Sequence, residues 1–272
     1  MNTPPGGPLQ PSAFPTVPPP PGAPAPGQPM TARLPLQRVW ATYVWLGVIT
    51  AVFIGQLIVI QTTGQDIIGD LGAKNNQLIA QGEYWRLLTA IFVHANILHY
   101  GFNAYALYII GRDVERFAGP LRLTVIFLLA GLCGSVFSLV FTPEPSVGAS
   151  GAIFGLIGAE AVFLYRNRQL FGQRGRRGLQ NLIFIAILNF ALGLQGSIDN
   201  WAHLGGLIGG LILGWVLGPV WAVNWNILQG GQPVIADQQP LGGRQWLLAL
   251  AFAVAVAAMA VFGAQLYVSP LR

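Results

Sequence analysis

The first residue whose surroundings favour chemistry is a serine set among glycines. Ser150 lies in the segment 148–155, GASGAIFG, at the start of an apolar run. A hydroxyl at such a position commonly caps a helix. It can also act as a nucleophile when an imidazole within about 3 Å accepts its proton. The segment therefore leaves two interpretations open, a helix cap or a nucleophile.

Three histidines supply every imidazole of the chain, and each lies near the end of an apolar run. Histidine inside a membrane is rare and indicates a functional site by default, the alternative being a hydrogen bond within the helix bundle. Ser150 and His203 are the minimum for nucleophilic catalysis, with His203 as general base. His99 and Asn103 share one helix face, so they can stabilise an oxyanion together with the Ser150 backbone N–H. His94 is expected to shape the site.

Two acidic residues invite a role but have ordinary explanations. Asp199 lies four residues before His203. It could complete a triad, although a solvated carboxylate is the common state in a short loop. Glu160 lies ten residues beyond Ser150, where a carboxylate must be protonated or paired. We expect Glu160 to make a structural polar contact with a neighbouring helix.

Glycine spacing predicts how closely the reacting helices approach. Gly151 and Gly155 are four residues apart, as are the members of a ladder beyond His203, namely Gly206, Gly210, Gly214 and Gly218. Small residues four apart allow membrane helices to touch at the backbone. This pattern predicts generic packing, and it also predicts a fixed distance between Ser150 and His203.

The composition indicates a multi-span membrane protein. Hydrophobic residues make up 53% of the chain and charged residues 8%, against about 25% charged in soluble domains. The net charge of +5 reflects arginines in short loops and does not indicate nucleic acid. Cys133 is the only cysteine and forms no intrachain disulfide. Neither a Cys cluster, an HExxH motif nor a Walker loop is present, so no metal or other cofactor is predicted.

Seven apolar runs predict helices at about 40–60, 97–111, 121–141, 151–165, 179–194, 201–221 and 245–268. Residues 1–36 hold thirteen of the twenty prolines and are expected to be a disordered tail rather than a secretory signal. These observations divide the chain into the tail (1–36), a core (37–222), a linker (223–244) and an extra C-terminal span (245–272).

The basic residues predict the orientation, because lysine and arginine favour cytoplasmic loops. With the N-terminus inside, three basic residues face outward, Lys74, Arg86 and Arg272. The other eleven face inward: Arg33, Arg38, Arg112, Arg116, Arg122, Arg166, Arg168, Arg174, Arg176, Arg177 and Arg244. The C-terminus then lies outside. Ser150 and His203 begin parallel helices at similar depth, and Ser150, about 24 Å from Arg166, lies below the outer boundary.

Over about residues 40–221 the sequence resembles the rhomboid family of intramembrane serine proteases. The resemblance is carried by four separated motifs: Gly148-Ala149-Ser150-Gly151, His94-x4-His99-x3-Asn103, Ala202-His203-x-Gly205-Gly206 and Trp85-Arg86. It implies an all-α membrane protein with a core of six transmembrane helices, to which a seventh is added at the C-terminus.

The resemblance also implies a Ser–His dyad without a catalytic acid, formed by Ser150 and His203. His99 and Asn103 would form the oxyanion hole with the Ser150 N–H. Phe154 matches a position where an aromatic ring stacks on the histidine, and some members carry tyrosine there. Trp85 and Arg86 match a loop motif that supports the fold.

The predicted activity is cleavage of single-span membrane proteins near the outer membrane face, after a small residue. Unwinding of the substrate helix must precede cleavage, and helix-weakening residues lower its cost. The fifth helix and residues 195–200 are candidates for a gate. The expected partners are transmembrane protein substrates and the lipid bilayer. The expected location is a bacterial inner membrane.

Three alternatives remain at this stage. A non-catalytic relative would bind membrane proteins without cutting them. A transporter would depend on His94 and His99, and it would show two related halves, which the sequence lacks. A zinc site would use all three histidines.

Overall fold

The computed structural model describes residues 34–194, 198–226 and 232–268, so the tail predicted to be disordered lies almost wholly outside the described residues. The helices are, in chain order, α1 (Ala41–Thr63), α2 (Ile67–Gly72), α3 (Asn76–Ala80), α4 (Arg86–Thr89), α5 (Ile97–Ala106), α6 (Arg112–Ala118), α7 (Pro120–Phe141), α8 (Ser150–Arg166), α9 (Arg168–Gly193), α10 (Asn200–Leu217) and α11 (Gly243–Gln265). A π-helical turn, Leu107–Gly111, joins α5 to α6.

Four of the described helices are long and apolar enough to cross a membrane, namely α1, α7, α10 and α11. The helix that begins at Ser150 is shorter, with 17 residues, or about 25 Å. A bilayer core is about 30 Å thick. A membrane crossed by α8 would therefore leave at least one end of this helix below the boundary.

A buried carboxylate caps the first long helix. Glu115 in α6 accepts hydrogen bonds from the backbone N–H groups of Trp40, Ala41 and Thr42, at 2.8, 2.7 and 2.8 Å. The Thr42 hydroxyl donates a fourth, at 2.6 Å. The first N–H groups of a helix have no partner within it and carry a partial positive charge. The Glu115 carboxylate accepts hydrogen bonds from these N–H groups and places a negative charge beside them. It thereby links α6 to the start of α1.

The centre of the bundle is α8, which is buried along most of its length and packs against α7, α9 and α10. The contact between α8 and α10 is made by backbone. A Cβ placed on Gly206 would lie 1.9 Å from the Gly151 carbonyl oxygen, and one on Gly210 would lie 1.9 Å from the Gly155 oxygen. These two helices therefore pass as closely as glycines allow.

The segment between α1 and α5 holds three short helices. Arg86 is buried there and donates to the carbonyl oxygens of Asp70, at 2.5 Å, and Ala73, at 3.1 Å. Its Nε pairs with Glu83 at 2.6 Å. Next to this network, Lys74 and Ser146 form an isolated antiparallel bridge with backbone bonds of 2.9 and 3.1 Å. The segment is thereby fixed to the loop that precedes Ser150.

Several predicted helix boundaries are wrong, and each has a local cause. The second predicted helix continues past residue 111 to Ala118. The fifth begins at Arg168, because arginine is a good helix former even without an apolar pattern. Its geometry breaks at Gly172. The sixth ends at Leu217, since Pro219 cannot continue a helix.

The described chain is mostly helical, as the all-α prediction requires, but it also contains two short strands. Strands β1 (Trp221–Asn226) and β2 (Gln232–Asp237) form a two-stranded sheet in the segment predicted to be a linker. The helical period that the prediction relied on does not detect short strands.

Candidate active site

The hydroxyl of Ser150 is not used as a helix cap. Ala149 occupies the capping position of α8, and no side-chain capping bond is made there. The preceding turn depends on Gly148, which has a φ of 116° and donates its N–H to the Ala90 carbonyl at 2.8 Å. Within the described residues the Ser150 hydroxyl forms no side-chain capping bond, and no hydrogen bond joins it to the His203 ring.

The close approach of α8 and α10 brings Ser150 and His203 towards each other. A Cβ on Gly151 would lie 3.2 Å from the carbonyl oxygen of Ala202. Each of these residues is the chain neighbour of one member of the predicted pair. Ser150 and His203, 53 positions apart in sequence, thus lie next to one helix contact.

His203 is buried, with 3% of its surface exposed, and its ring is held by aromatic side chains. Phe154 stacks on the imidazole with centroids 4.3 Å apart and planes at 14°. Phe190 approaches edge-on at 6.2 Å. The Nδ1 atom of His203 has no hydrogen-bond partner among the described residues. Because Phe154 lies one turn beyond Ser150, the stacked ring lies beside the helix face that presents the hydroxyl.

Asp199 does not bond the imidazole of His203. Its carboxylate caps α10 by accepting from the Ala202 N–H at 3.0 Å, and it also accepts from the Ser138 hydroxyl. Burial opposes ionisation, but hydrogen bonds from Ser138, Ala202 and Ser146 together with the charge of Lys74 keep the pKa of Asp199 below its ordinary value. Asp199 is half-buried, so the expectation of a solvated carboxylate was wrong.

His99 and Asn103 face the turn before the serine. A Cβ on Gly148 would lie 2.6 Å from the His99 ring and 3.8 Å from the Asn103 side-chain nitrogen. Asn96 caps α5 by accepting from the His99 N–H at 2.9 Å. Asn103 donates to the His99 carbonyl at 2.8 Å. The side chains of His99 and Asn103, the two predicted oxyanion donors, thus lie beside Gly148, two residues before Ser150.

His94 is buried behind His99. Its ring packs edge-on to Phe53, Tyr100 and His99, with centroids 6.3, 5.7 and 5.4 Å away. Gln56 of α1 holds the His94 backbone with bonds of 3.0 and 3.1 Å. Neither ring nitrogen has a partner among the described residues. His94 thus contacts the His99 ring from the side of α1.

Two further expectations can be compared with the described part of the chain. Glu160 was expected to contact a neighbouring helix, but its buried Oε2 atom has no hydrogen-bond partner there. No group of three or more His, Cys, Asp or Glu side chains in the described part of the chain is arranged to hold a metal ion.

Three polar residues near the site were not singled out from the sequence. Gln56 is an isolated amide within a long apolar run, and an amide in such a place is expected to form a specific hydrogen bond. Lys74 is the only lysine in a chain that otherwise uses arginine. Ser138 gives no comparable signal, because serine is common in membrane helices.

The family model described as Rhomboid domain matches residues 81–220, which include every candidate site residue. The chain belongs to the rhomboid family. Rhomboid protease GluP of Bacillus subtilis (strain 168) is 48% identical over 148 residues, covering 54% of this chain and 29% of that protein. Several apolar helices and this domain make the rhomboid an integral membrane protein.

Plant rhomboids are also similar. RHOMBOID-like protein 6, mitochondrial, of Arabidopsis thaliana is 40% identical over 140 residues, covering 51% of this chain and 45% of the relative. Inactive RHOMBOID-like protein 8 of the same plant is 38% identical over 138 residues, covering 50% and 39%. The matched region is thus less than half the length of each of these relatives, and relatives of similar identity include one named inactive.

Proposed function

We propose that this rhomboid is an intramembrane serine endopeptidase that uses Ser150 as nucleophile and His203 as general base. One observation carries the proposal. The His203 imidazole is stacked on Phe154, one turn beyond Ser150, across the backbone contact of α8 and α10. The relative named a protease, GluP, supports this assignment at the level of the family.

The reaction proceeds as acyl transfer. The Ser150 oxygen attacks the carbonyl carbon of a peptide bond while His203 takes the hydroxyl proton. The tetrahedral intermediate expels the amine, which receives that proton from the imidazolium, and an acyl-enzyme remains. Water then attacks the ester with His203 again as base, and the carboxylic acid product leaves. The aromatic stacking of His203 takes the place of an orienting carboxylate, since Asp199 is engaged as a helix cap.

The negative oxygen of the intermediate requires preorganised donors. We assign this role to the His99 ring, the Asn103 amide and the Ser150 N–H. The nearness of the first two to Gly148 supports the assignment. Gly148 and Gly151 allow the close approach of neighbouring groups, and Phe154 and His94 hold the rings of His203 and His99.

In the proposed topology seven helices span the membrane, with the N-terminus in the cytoplasm and the C-terminus outside. The core is formed by 37–222, followed by the linker 223–244 and the extra span 245–272. Ser150 then lies below the outer boundary and must line a cavity open to water. The proposed substrates are transmembrane segments of membrane proteins, unwound near the outer face, in a bacterial inner membrane. The proposed gate at 195–200 falls partly outside the described residues.

The decisive experiment is labelling of the full chain by a fluorophosphonate probe in detergent. The probe phosphonylates only an activated serine, so labelling should disappear in Ser150→Ala and in His203→Ala. Ser135→Ala, on α7, is the matched control and should label as the wild type does. Cleavage of a single-span test substrate in proteoliposomes should follow the same order. Wild-type labelling that survives in Ser150→Ala would exclude this site.

We propose a second, alternative function because one similar relative is named inactive. In this alternative the rhomboid fold binds transmembrane proteins without cutting them. It predicts that wild type and Ser150→Ala capture the same membrane proteins and that neither reacts with the probe. Ser150-dependent labelling would rule it out.

A further inference from the structure

The lone lysine of the chain is wholly buried beside the end of α7. Lys74 has 0% of its surface exposed. Its ammonium donates to the backbone carbonyls of Ser138, at 3.4 Å, and Thr142, at 2.9 Å. Asn76 adds bonds to the carbonyls of Leu139, at 3.3 Å, and Thr142, at 2.8 Å. The final carbonyls of a helix have no partner within it and carry partial negative charge, which these donors satisfy.

Ser138 of α7 and Thr142, which directly follows α7, also contact the cap of α10. Ser138 donates its hydroxyl to the Asp199 carboxylate, and the Thr142 hydroxyl lies 3.4 Å from the other carboxylate oxygen. Asp199 in turn holds the first turn of α10, where its backbone oxygen accepts from the His203 N–H at 3.2 Å. A chain of polar contacts therefore leads from the Lys74 ammonium to the helix turn that carries His203.

The backbone of Lys74 also pairs with the loop that leads to Ser150, the other member of the proposed pair. Its N–H donates to the Ser146 carbonyl at 2.9 Å, and its carbonyl accepts from the Ser146 N–H at 3.1 Å. Ser146 lies four residues before Ser150 in the loop that positions α8. Lys74 thus contacts residues that position Ser150 and residues that position His203.

We infer that Lys74 is a positioning residue of the Ser150–His203 pair, acting through α7 and Asp199 on one side and through Ser146 on the other. The inference rests on the proposed function. A charged amine is suited to this role because it can satisfy several carbonyls around one point and attract a carboxylate. Loss of the charge should loosen the first turn of α10 relative to α8, without removing either reacting group.

The charge of Lys74 changes within an accessible pH range. Burial lowers its pKa from 10.5 to about 8, against the opposing effect of the Asp199 and Glu144 carboxylates. The other charged group at this position is the Arg86 guanidinium, which bonds the neighbouring Ala73 carbonyl and pairs with Glu83. The ammonium is therefore present at neutral pH and lost as the pH rises through about 8.

The test is the pH dependence of fluorophosphonate labelling at Ser150, with Ser150→Ala as background. In the wild type the labelling rate should fall on the order of tenfold between about pH 7 and pH 9.5, since small displacements of reacting groups have large effects on rate. Lys74→Met should be slow across the whole range with no step near pH 8. Lys74→Arg keeps its charge and should remove the step while restoring the neutral rate. A step that persists unchanged in Lys74→Met would overturn the inference.

Glu144→Gln is a second test that leaves the buried cluster intact. Glu144 is exposed and raises the pKa of Lys74, so its neutralisation should move the step in labelling to lower pH. Asp113→Asn, which removes an exposed carboxylate from α6, is the matched control and should leave the step in place. An unchanged step in Glu144→Gln contradicts the inference. Ser150-dependent labelling at pH 7 would uphold the proposed function in either case.

Discussion

The imidazole of His203 lies nearly parallel to the phenyl ring of Phe154, with centroids 4.3 Å apart. No described residue accepts a hydrogen bond from its Nδ1. The orientation of a general base is usually set by a hydrogen bond to that nitrogen. We therefore expect stacking on Phe154 to set the orientation of the His203 ring.

Substitution of Phe154 should affect His203 more than it affects the fold. Phe154→Ala removes the stacked surface, so we expect the rate of Ser150 labelling to fall by on the order of tenfold or more. Phe154→Tyr retains the ring and should label within about twofold of the wild type. Thermal unfolding in detergent separates loss of orientation from loss of stability. Equal labelling by Phe154→Ala and wild type would show that the ring contributes nothing to the base.

Substitution of a glycine by alanine at the contact between α8 and α10 should strongly destabilise the fold. The new Cβ in Gly206→Ala would lie 1.9 Å from the Gly151 oxygen, so the helices must separate. We expect a loss of unfolding free energy of about 1–3 kcal/mol or more and a loss of labelling. Gly47→Ala on α1 meets no atom within 4 Å and should be neutral or slightly stabilising. Both variants can be compared by thermal unfolding, and similar behaviour would contradict the close contact.

Neutralisation of Glu115 should loosen α1. The carboxylate accepts four hydrogen bonds from Trp40, Ala41 and Thr42, and an amide cannot accept them all. Glu115→Gln should therefore lower the unfolding free energy by on the order of 2 kcal/mol. Asp113→Asn, which loses only an exposed pair at 3.5 Å, should change it by less than about 0.5 kcal/mol. Hydrogen exchange should locate the Glu115→Gln effect at the start of α1.

Stability and activity should respond in opposite directions to alkaline pH. The folded-state pKa of Lys74 is about 8, below its ordinary 10.5. Between these values the unfolded chain binds the additional proton, so raising the pH through this range stabilises the fold. Thermal midpoints should therefore rise by on the order of a few degrees from about pH 8 to pH 10, while labelling falls. Lys74→Met should show neither change, and a parallel decline of both in the wild type would indicate general alkaline unfolding.

The parts of the site that depend on local spacing could be predicted from the sequence. The four-residue glycine period identifies the helix faces that meet at Gly151 and Gly206. The spacing of His99 and Asn103 places both side chains on one face of α5, and both lie beside Gly148. Helix direction and charge bias predict a similar depth for Ser150 and His203. These inferences need only the helical repeat and the membrane thickness.

The parts that depend on distant pairing could not be predicted in this way. Glu115 caps a helix more than 70 positions earlier, and Asp199 is bonded by Ser138, 61 positions away. No periodicity links such residues, because the contacts form only when the elements pack. The strand pair after α10 was missed for a related reason, since two short strands are stabilised by each other rather than by a local pattern.

The glycine contacts between α8 and α10 have a consequence for how this chain can vary. Because main chain meets main chain there, no rotamer change can absorb an added atom, and the gap between alcohol and imidazole is set by two rigid cylinders. If the proposed peptidase activity holds, substrate preference would be tuned elsewhere, in the loops around Ser150 and His203. Widening the space between Ser150 and His203 would require the shift of a whole helix, whereas substitutions in the loops would leave the glycine contacts of α8 and α10 in place.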